Sequence, residues 1–432
     1  MNRLLCAVLP VYGLVCASNP AAGDERIAPK VMAFQKQVTN QPQASLNPLE
    51  VRLGQILFFD PRLSGNNSTS CATCHNPSLG WSDGEKTPLR FPLVKRRSQS
   101  LWDVGSQRLL FWDGRAASLE QQAAMPVEDA NEMNSSRLKV VKIALRDPET
   151  RALLEQGYGA LPAGLSELLE QSGFNVSGSN ANPGAEWRRL FDALAPDAKA
   201  MVSRVFEHLM QAVAVFERAI DSGQSRFELG LANETRQSGT HGFSPREIRG
   251  MNLFFGAAGC VQCHSGPNLS DGLFHLPAMP DPQEAGMAGL LGKAPLPLAE
   301  HAGSRNALAA NQGLQVCGSK VLQAQGPAQL WRRHGQDREL DFNGLLRTPS
   351  LKNVASHPPY LHNGSAPGLL QAVQQEAARK RRCVNGKLAP ARRFSEEELL
   401  ALTDFLQTLT SGDMSPHDPG RLSVINLKTG MK

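Results

Sequence analysis

Cys71-Ala72-Thr73-Cys74-His75 is the most constrained stretch of this 432-residue chain. Two cysteines three positions apart, with histidine directly after them, form the C-x-x-C-H pattern of covalent c-type haem attachment. The thiols add to the two porphyrin vinyl groups, and the adjoining imidazole is delivered to one axial face of the iron. For a single copy, a chance pairing, a redox dithiol or half of a zinc site would compete. Cys260-Val261-Gln262-Cys263-His264 repeats the pentapeptide, and chance does not readily supply two.

The flanks repeat as well. Gly54-Gln55-Ile56-Leu57-Phe58-Phe59 precedes the first motif and Gly250-Met251-Asn252-Leu253-Phe254-Phe255 the second, while Ser82-Asp83-Gly84 is answered downstream by Ser270-Asp271-Gly272. An apolar lead-in helix, a haem motif and an acidic turn, each present twice, imply a duplicated module. The expected fold is mainly α, with two cytochrome c-like haem domains, long loops and a pseudo-twofold relation. We divide the chain into a signal peptide (1–22), an N-terminal haem c domain (23–235) and a C-terminal haem c domain (236–432).

Hydrophobic residues make up 41% and charged residues 20% of the chain, the balance of a soluble globular protein. The net charge of +5 is spread thinly, so it carries no nucleic-acid signature, and Lys380-Arg381-Arg382 reads as solvated surface. Arg3, the apolar run Leu4 to Val15 and the small residues Ala17 or Ala21-Ala22 read as a secretory leader. That run is too short to span a bilayer and Pro10 interrupts it; no later segment is long and apolar enough to be membrane-embedded. The expected location is the bacterial periplasm, where c-type haem is attached. Of eight cysteines, two fall in the leader and four in the motifs. Cys317 and Cys383 remain, either as a disulfide or as buried thiols.

Along the chain, Asp24 to Gln43 reads as an irregular arm and Pro48 to Phe59 as a helix stopped by Asp60-Pro61. Helical spacing recurs over Ser118–Ala124, Arg137–Arg146 and Ala198–Asp221. The last presents Val202, Val205, Phe206, Leu209, Val213 and Phe216 on one face, and His208 there reads as a packing residue. Ser222 to Gly242 is a Gly/Ser/Thr-rich boundary, followed by the capping box Ser244-Pro245-Arg246-Glu247. Pro277 to Gln329 is Gly/Pro/Ala-rich without a clear element, and Phe394-Ser395-Glu396-Glu397-Glu398 opens a final helix.

Further residues carry a resemblance: Phe111-Trp112-Asp113-Gly114-Arg115, Ser118-Leu119-Glu120, Met125-Pro126-Val127, Asn131-Glu132-Met133, Arg347-Thr348-Pro349-Ser350-Leu351-Lys352-Asn353-Val354 and Pro359-Tyr360-Leu361-His362-Asn363-Gly364-Ser365. Together with both haem motifs, and in the same order, they resemble the bacterial di-haem cytochrome c peroxidases and their MauG-type relatives. The resemblance implies two covalently bound haem c groups. His75 would be proximal ligand to the peroxidatic haem, Glu132 a distal acid–base carboxylate and Gln122 a pocket residue orienting peroxide. Trp112 would be the electron relay between the haems and His264 proximal to the second haem. His362 would lie near that second haem and hydrogen-bond there, with His275 and His357 as secondary candidates.

Three departures from the family pattern bear on function. No histidine occurs between His75 and His208, which implies an open first iron without the histidine cap of many bacterial peroxidases, as in MauG-type members. The methionine or tyrosine expected as distal ligand of the second iron is missing, and the count from His362 reaches Glu376. Either Glu376 ligates that iron, another group does, or it is five-coordinate. Finally, Arg97 occupies the place of an asparagine that helps to hold interdomain calcium, with His357 and Pro359 at the carbonyl positions. A guanidinium there would replace the ion, so no calcium is expected.

The leading expectation is an enzyme that reduces hydrogen peroxide to water with electrons from a small cytochrome c or cupredoxin. The alternatives are a MauG-type oxidation of Trp or Tyr residues in a partner protein and a non-catalytic di-haem electron carrier. A monomer or homodimer is expected, with no nucleic-acid partner.

Overall fold

The computed structural model describes residues 27–31, 45–86, 94, 96–170, 182–232, 242–275, 346–378, 381–384, 387–390 and 392–411. The first part of the chain holds α1 (Pro48–Phe59), α2 (Cys71–Cys74), α3 (Leu119–Glu128), α4 (Arg137–Arg146), α5 (Pro148–Tyr158), α6 (Leu165–Leu169), α7 (Pro183–Asp192) and α8 (Pro196–Arg218). After it come α9 (Arg226–Ala232), α10 (Pro245–Phe255), α11 (Leu369–Ala377) and α12 (Glu396–Thr408). Two antiparallel ribbons, β1 (Phe274–His275) with β2 (Leu346–Arg347) and β3 (Arg381–Val384) with β4 (Lys387–Pro390), are the strands among the described residues.

Helix α1 shows how closely local chemistry sets the boundaries. The Asn47 side chain accepts from the Leu49 N–H, Pro48 occupies the first turn where no donor is needed, and Asp60 ends the helix before Pro61. Gly54 then lets α1 cross α8 at backbone distance: a Cβ there would lie 2.0 Å from the Ala212 carbonyl oxygen. Gly250 does the same for α10 against α12, where a Cβ would lie 1.9 Å from the Ala401 oxygen. Four residues beyond each glycine a phenylalanine meets the crossing helix, Phe58 on Phe216 at 5.1 Å and Phe254 on Phe405 at 5.0 Å between ring centres. The repeated Gly…Phe-Phe lead-in is therefore a helix-crossing device used twice.

A second stretch of backbone also recurs. Asp103 and Asn353 both take left-handed conformations (φ 53° and 54°), followed by the short 3₁₀ turns Val104–Ser106 and Val354–Ser356. Phe111 and Leu361 again share φ > 0, and Leu110 bridges Ala116 as Tyr360 bridges Ala366. The Asp103 N–H donates to Ile220 O and the Asn353 N–H to Leu409 O, each at 3.0 Å. Helices α3 and α11 follow at the same spacing, so residue 112 in the first path corresponds to residue 362 in the second.

Two apolar cores result, one on α1, α3, α4 and α8 and one on α10 and α12. The boundary stretch 222–242 is not wholly a linker. Helix α9 lies within it, opened by Ser225 and Glu228 in mutual hydrogen bonds, and Phe227 stacks on Phe255 at 6.2 Å in the second core. The arm is partly docked too: Val31 is buried in that core and the Ala28 N–H donates to Asn252 Oδ1 at 3.0 Å. The leader, residues 277–329 and Cys317 lie outside the described residues, as does any pairing of Cys317 with Cys383. No helix among the described residues is long and apolar enough to cross a membrane.

Candidate active site

Helix α2 is a single turn that presents Cys71 and Cys74, started by a capping box between Ser70 and Thr73. His75 follows in a non-helical conformation, its N–H bonded to Cys71 O at 2.9 Å. The His75 Nδ1 lies 3.2 Å from the carbonyl of Trp81, a residue with φ 58°. A carbonyl only accepts, so the proton sits on Nδ1 and Nε2 keeps its lone pair for a metal. Burial lowers the pKa of His75, which holds it neutral. The second motif repeats this arrangement, with His264 Nδ1 3.0 Å from the carbonyl of Leu269 at φ 49°.

One cavity of about 1160 Å³, mouth included, brings the first set of candidates together. Cys71, Cys74, His75, Trp112, Gln122 and Glu132 all line it, between apolar surfaces from Leu101, Val104, Leu110, Phe111 and Met133. Gln122 and Pro126 face it from successive turns of α3. Glu132 sits in the tight turn that follows, its N–H bonded to Asp129 O. Burial, with Asp129 adding to it against Arg115, raises the Glu132 carboxyl above its ordinary range.

Trp112 is fixed from both sides: its Nε1–H donates to Arg97 O at 3.0 Å and its carbonyl accepts from the Arg347 N–H at 2.7 Å. Its ring lies 6.3 Å from that of His362, edge to face. The two residues at corresponding places in the repeated path thus touch each other. His362 is buried, and its carbonyl accepts from the Arg97 N–H at 2.9 Å. The Arg97 guanidinium donates to Ser82 Oγ at 2.8 Å and to the His357 carbonyl at 2.9 Å. The buried His357 imidazole beside it is driven down to about 3 by burial and then by the Arg97 charge, so it is neutral.

Glu376 lies half-buried on α11 at the place that Pro126 holds on α3, where Pro126 lines the first cavity. His275 Nε2 lies 2.8 Å from Asp271 Oδ2, close to Cys263. These three residues have metal-ligand spacing, but Cys263 already belongs to the second haem motif, so we read His275 as the partner of Asp271.

The sequence reading gave two cavity residues no role. Arg347 is 4% exposed and has no carboxylate partner among the described residues; burial lowers it to about 10. Glu217, near the end of α8, is also 4% exposed, and its Oε2 has no hydrogen-bond partner. A signal for it existed, because Glu217 is one turn beyond Val213 and so continues the apolar stripe of that helix.

The cavity suits a planar, largely apolar ring that carries carboxylates. Its walls are apolar, two thiols and a neutral imidazole meet at one end, and Arg347 is a buried cation awaiting an anion. Haem fits this set, with Cys71, Cys74 and His75 to hold it and Arg347 to face a propionate.

Comparison with known proteins agrees. Residues 48–236 match the family model described as di-haem cytochrome c peroxidase. The chain is 29% identical to the methylamine utilization protein MauG of Methylorubrum extorquens over 409 residues, 93% of this chain and 90% of that protein. It is 28% identical to the cytochrome-c peroxidase IdrP1 of Denitromonas iodatirespirans, covering 97% and 96% of the two chains. The diheme peroxidase BthA of Burkholderia thailandensis has the same fold, with a TM-score of 0.55 at 19% identity over 86% of this chain and 90% of that one. Two haem-type motifs, one cavity that gathers the peroxidase-like residues and similarity along most of the chain to peroxidases and MauG proteins alike mark this chain as a peroxidase-type oxidoreductase similar to the di-haem cytochrome c peroxidase and MauG proteins, with residues 48–236 carrying the family match.

Proposed function

We propose that the chain is a periplasmic enzyme with two covalently attached haem c groups that reduces hydrogen peroxide to water with electrons from a small cytochrome c or cupredoxin. The observation that carries this is the single cavity onto which Cys71, Cys74, His75, Gln122, Glu132 and Trp112 all open. Haem held by Cys71, Cys74 and His75 would supply the site at which peroxide binds and the electrons that cleave its O–O bond. Glu132 takes the proton from the inner peroxide oxygen and returns it to the outer one, which then leaves as water. Gln122 orients the peroxide by hydrogen bonding. Trp112, with its indole held by Arg97 and Arg347, carries electrons from the side of His264 and His362 toward the cavity. Glu376 is the candidate distal ligand of the second iron, and Arg97 takes the place of interdomain calcium. The repeated chain path supports a pseudo-twofold relation between the two haem domains.

One observation favours a second reading, in which the enzyme oxidises Trp or Tyr residues of a partner protein: no histidine follows His75 before His208, so the loop after the first haem motif offers no imidazole to cap the first iron. Peroxide added to the holoprotein with reduced cytochrome c separates the readings. Fast, catalytic oxidation of the cytochrome is the expected outcome. A rapid Soret change without cytochrome turnover would transfer support to the protein-oxidation reading, and no spectral response would leave a di-haem electron carrier.

A further inference from the structure

Glu217 has no counterpart in the second half of the molecule. Ala212 and Ala401 meet the two crossing glycines, Phe216 and Phe405 meet the two phenylalanines, and Ile220 and Leu409 accept the matched backbone bonds. On this register Glu217 corresponds to Leu406, which is buried. The fold is therefore built with leucine at this place, and the carboxyl is an addition confined to the cavity that holds Cys71 and His75. Its nearest charges are Arg218, which is paired with Glu120, and Glu120 itself. Around the cavity stand Arg96 and Arg115, both on Asp113, with Arg97, Arg347, Glu132 and His75.

We propose that Glu217 is the redox-linked proton acceptor of the first haem site, taking up one proton when an electron enters that site and releasing it when the electron leaves. This rests on haem occupying the cavity. The step balances: the donor supplies the electron, solvent supplies the proton, and a carboxylate becomes a carboxylic acid, so the cavity gains no net charge. In a low-dielectric space an uncompensated charge is costly, and Glu217 is the buried carboxyl whose Oε2 is otherwise unpaired. Burial, opposed by Arg218 and reinforced by Glu120, pushes its pKa up to about 8, so its proton affinity lies where modest electrostatic changes alter its occupancy.

Spectroelectrochemical titration of the holoprotein between pH 6 and 10, with the two haems resolved, tests this. The first-haem potential should fall as pH rises, by up to about 59 mV per tenfold drop in proton concentration for a one-proton, one-electron couple. Glu217→Gln and Glu217→Leu should both flatten that dependence and leave the pH response of the second haem as it was. The leucine variant reproduces what the second half already tolerates, so folding should survive. A pH-independent wild-type potential would overturn the proposal. So would a slope that persists in both variants, or one that disappears in Glu132→Gln instead. A protein with no haem on Cys71 and Cys74 would bring down the haem reading as well, and a haemochrome count made first distinguishes that failure.

Discussion

At the scale of single residues, Glu132 differs from an ordinary surface carboxylate by its place rather than its type. It opens onto the cavity of Cys71 and His75, and burial raises its pKa. Glu132→Gln keeps the shape and removes the proton acceptor, so the reaction with peroxide should slow by about two to four powers of ten in stopped-flow measurements. The sign of the pH effect follows from the role. A base must be unprotonated to accept, so the wild-type rate should rise as pH rises through the elevated pKa of Glu132, and this limb should be absent in Glu132→Gln. Glu217 has a stability consequence of opposite sense. Its folded-state pKa lies above the unfolded value, so its protonated form favours folding below about pH 4.5, and that contribution is lost as pH climbs toward 8. Glu217→Leu should therefore lose less thermal stability than wild type between pH 5 and pH 9, as read by the melting temperature of the holoprotein.

At the scale of elements, the lead-in helices carry a test of their own. Gly54→Ala would drive a methyl group into the Ala212 carbonyl, and Gly250→Ala into that of Ala401. Each crossing would have to open, at a cost of about 1–3 kcal/mol or more. Because the helices belong to different cores, Gly54→Ala should perturb chiefly the His75 haem spectrum and Gly250→Ala chiefly that of His264, with both variants melting lower. These helices were legible in the sequence because their stops are chemical: Asn47, Ser244 and Ser395 cap N-termini, and Pro61 ends α1. Helix α3 runs four residues past the expected Ala124 with Pro126 inside it, so the hydrogen bond that an N–H at this position would make to the Gln122 carbonyl is missing. Helix α9 was hidden because it is short and set among glycine and serine, so its Phe227–Leu231 pair gave too little period to register. The second copy of the path through Asp103 and Phe111 was equally hidden. What Asn353 and Leu361 share with those residues is backbone conformation, not side-chain type.

At the scale of the whole molecule, the haem motifs were readable one by one, whereas the residues that join the two halves could be reached only through the family resemblance, because joining depends on long-range approach. Arg97 is the clearest case. Its backbone bonds to His362 and its guanidinium to the His357 carbonyl and Ser82, while its own carbonyl holds the Trp112 indole. One residue thus ties the first half to the second and positions the indole between them. Similarity to the family places calcium near positions 97, 357 and 359, where an asparagine replaces this arginine. Calcium needs neutral or anionic oxygen ligands, and on our proposal the buried Arg97 guanidinium, which donates to the His357 carbonyl, stands in its place. A chelator should therefore leave the wild-type spectra and the electron transfer between the haems unchanged. Arg97→Asn removes the cation and restores an oxygen donor, so that variant should lose stability through an unpaired buried carbonyl, by about 1–3 kcal/mol, and regain it when calcium is added. Calorimetric titration with calcium reads the outcome directly. Heat of binding in the variant but not in wild type would establish that Arg97 does the ion's work, whereas calcium uptake by wild type would show that these carbonyls keep room for a cation beside the guanidinium.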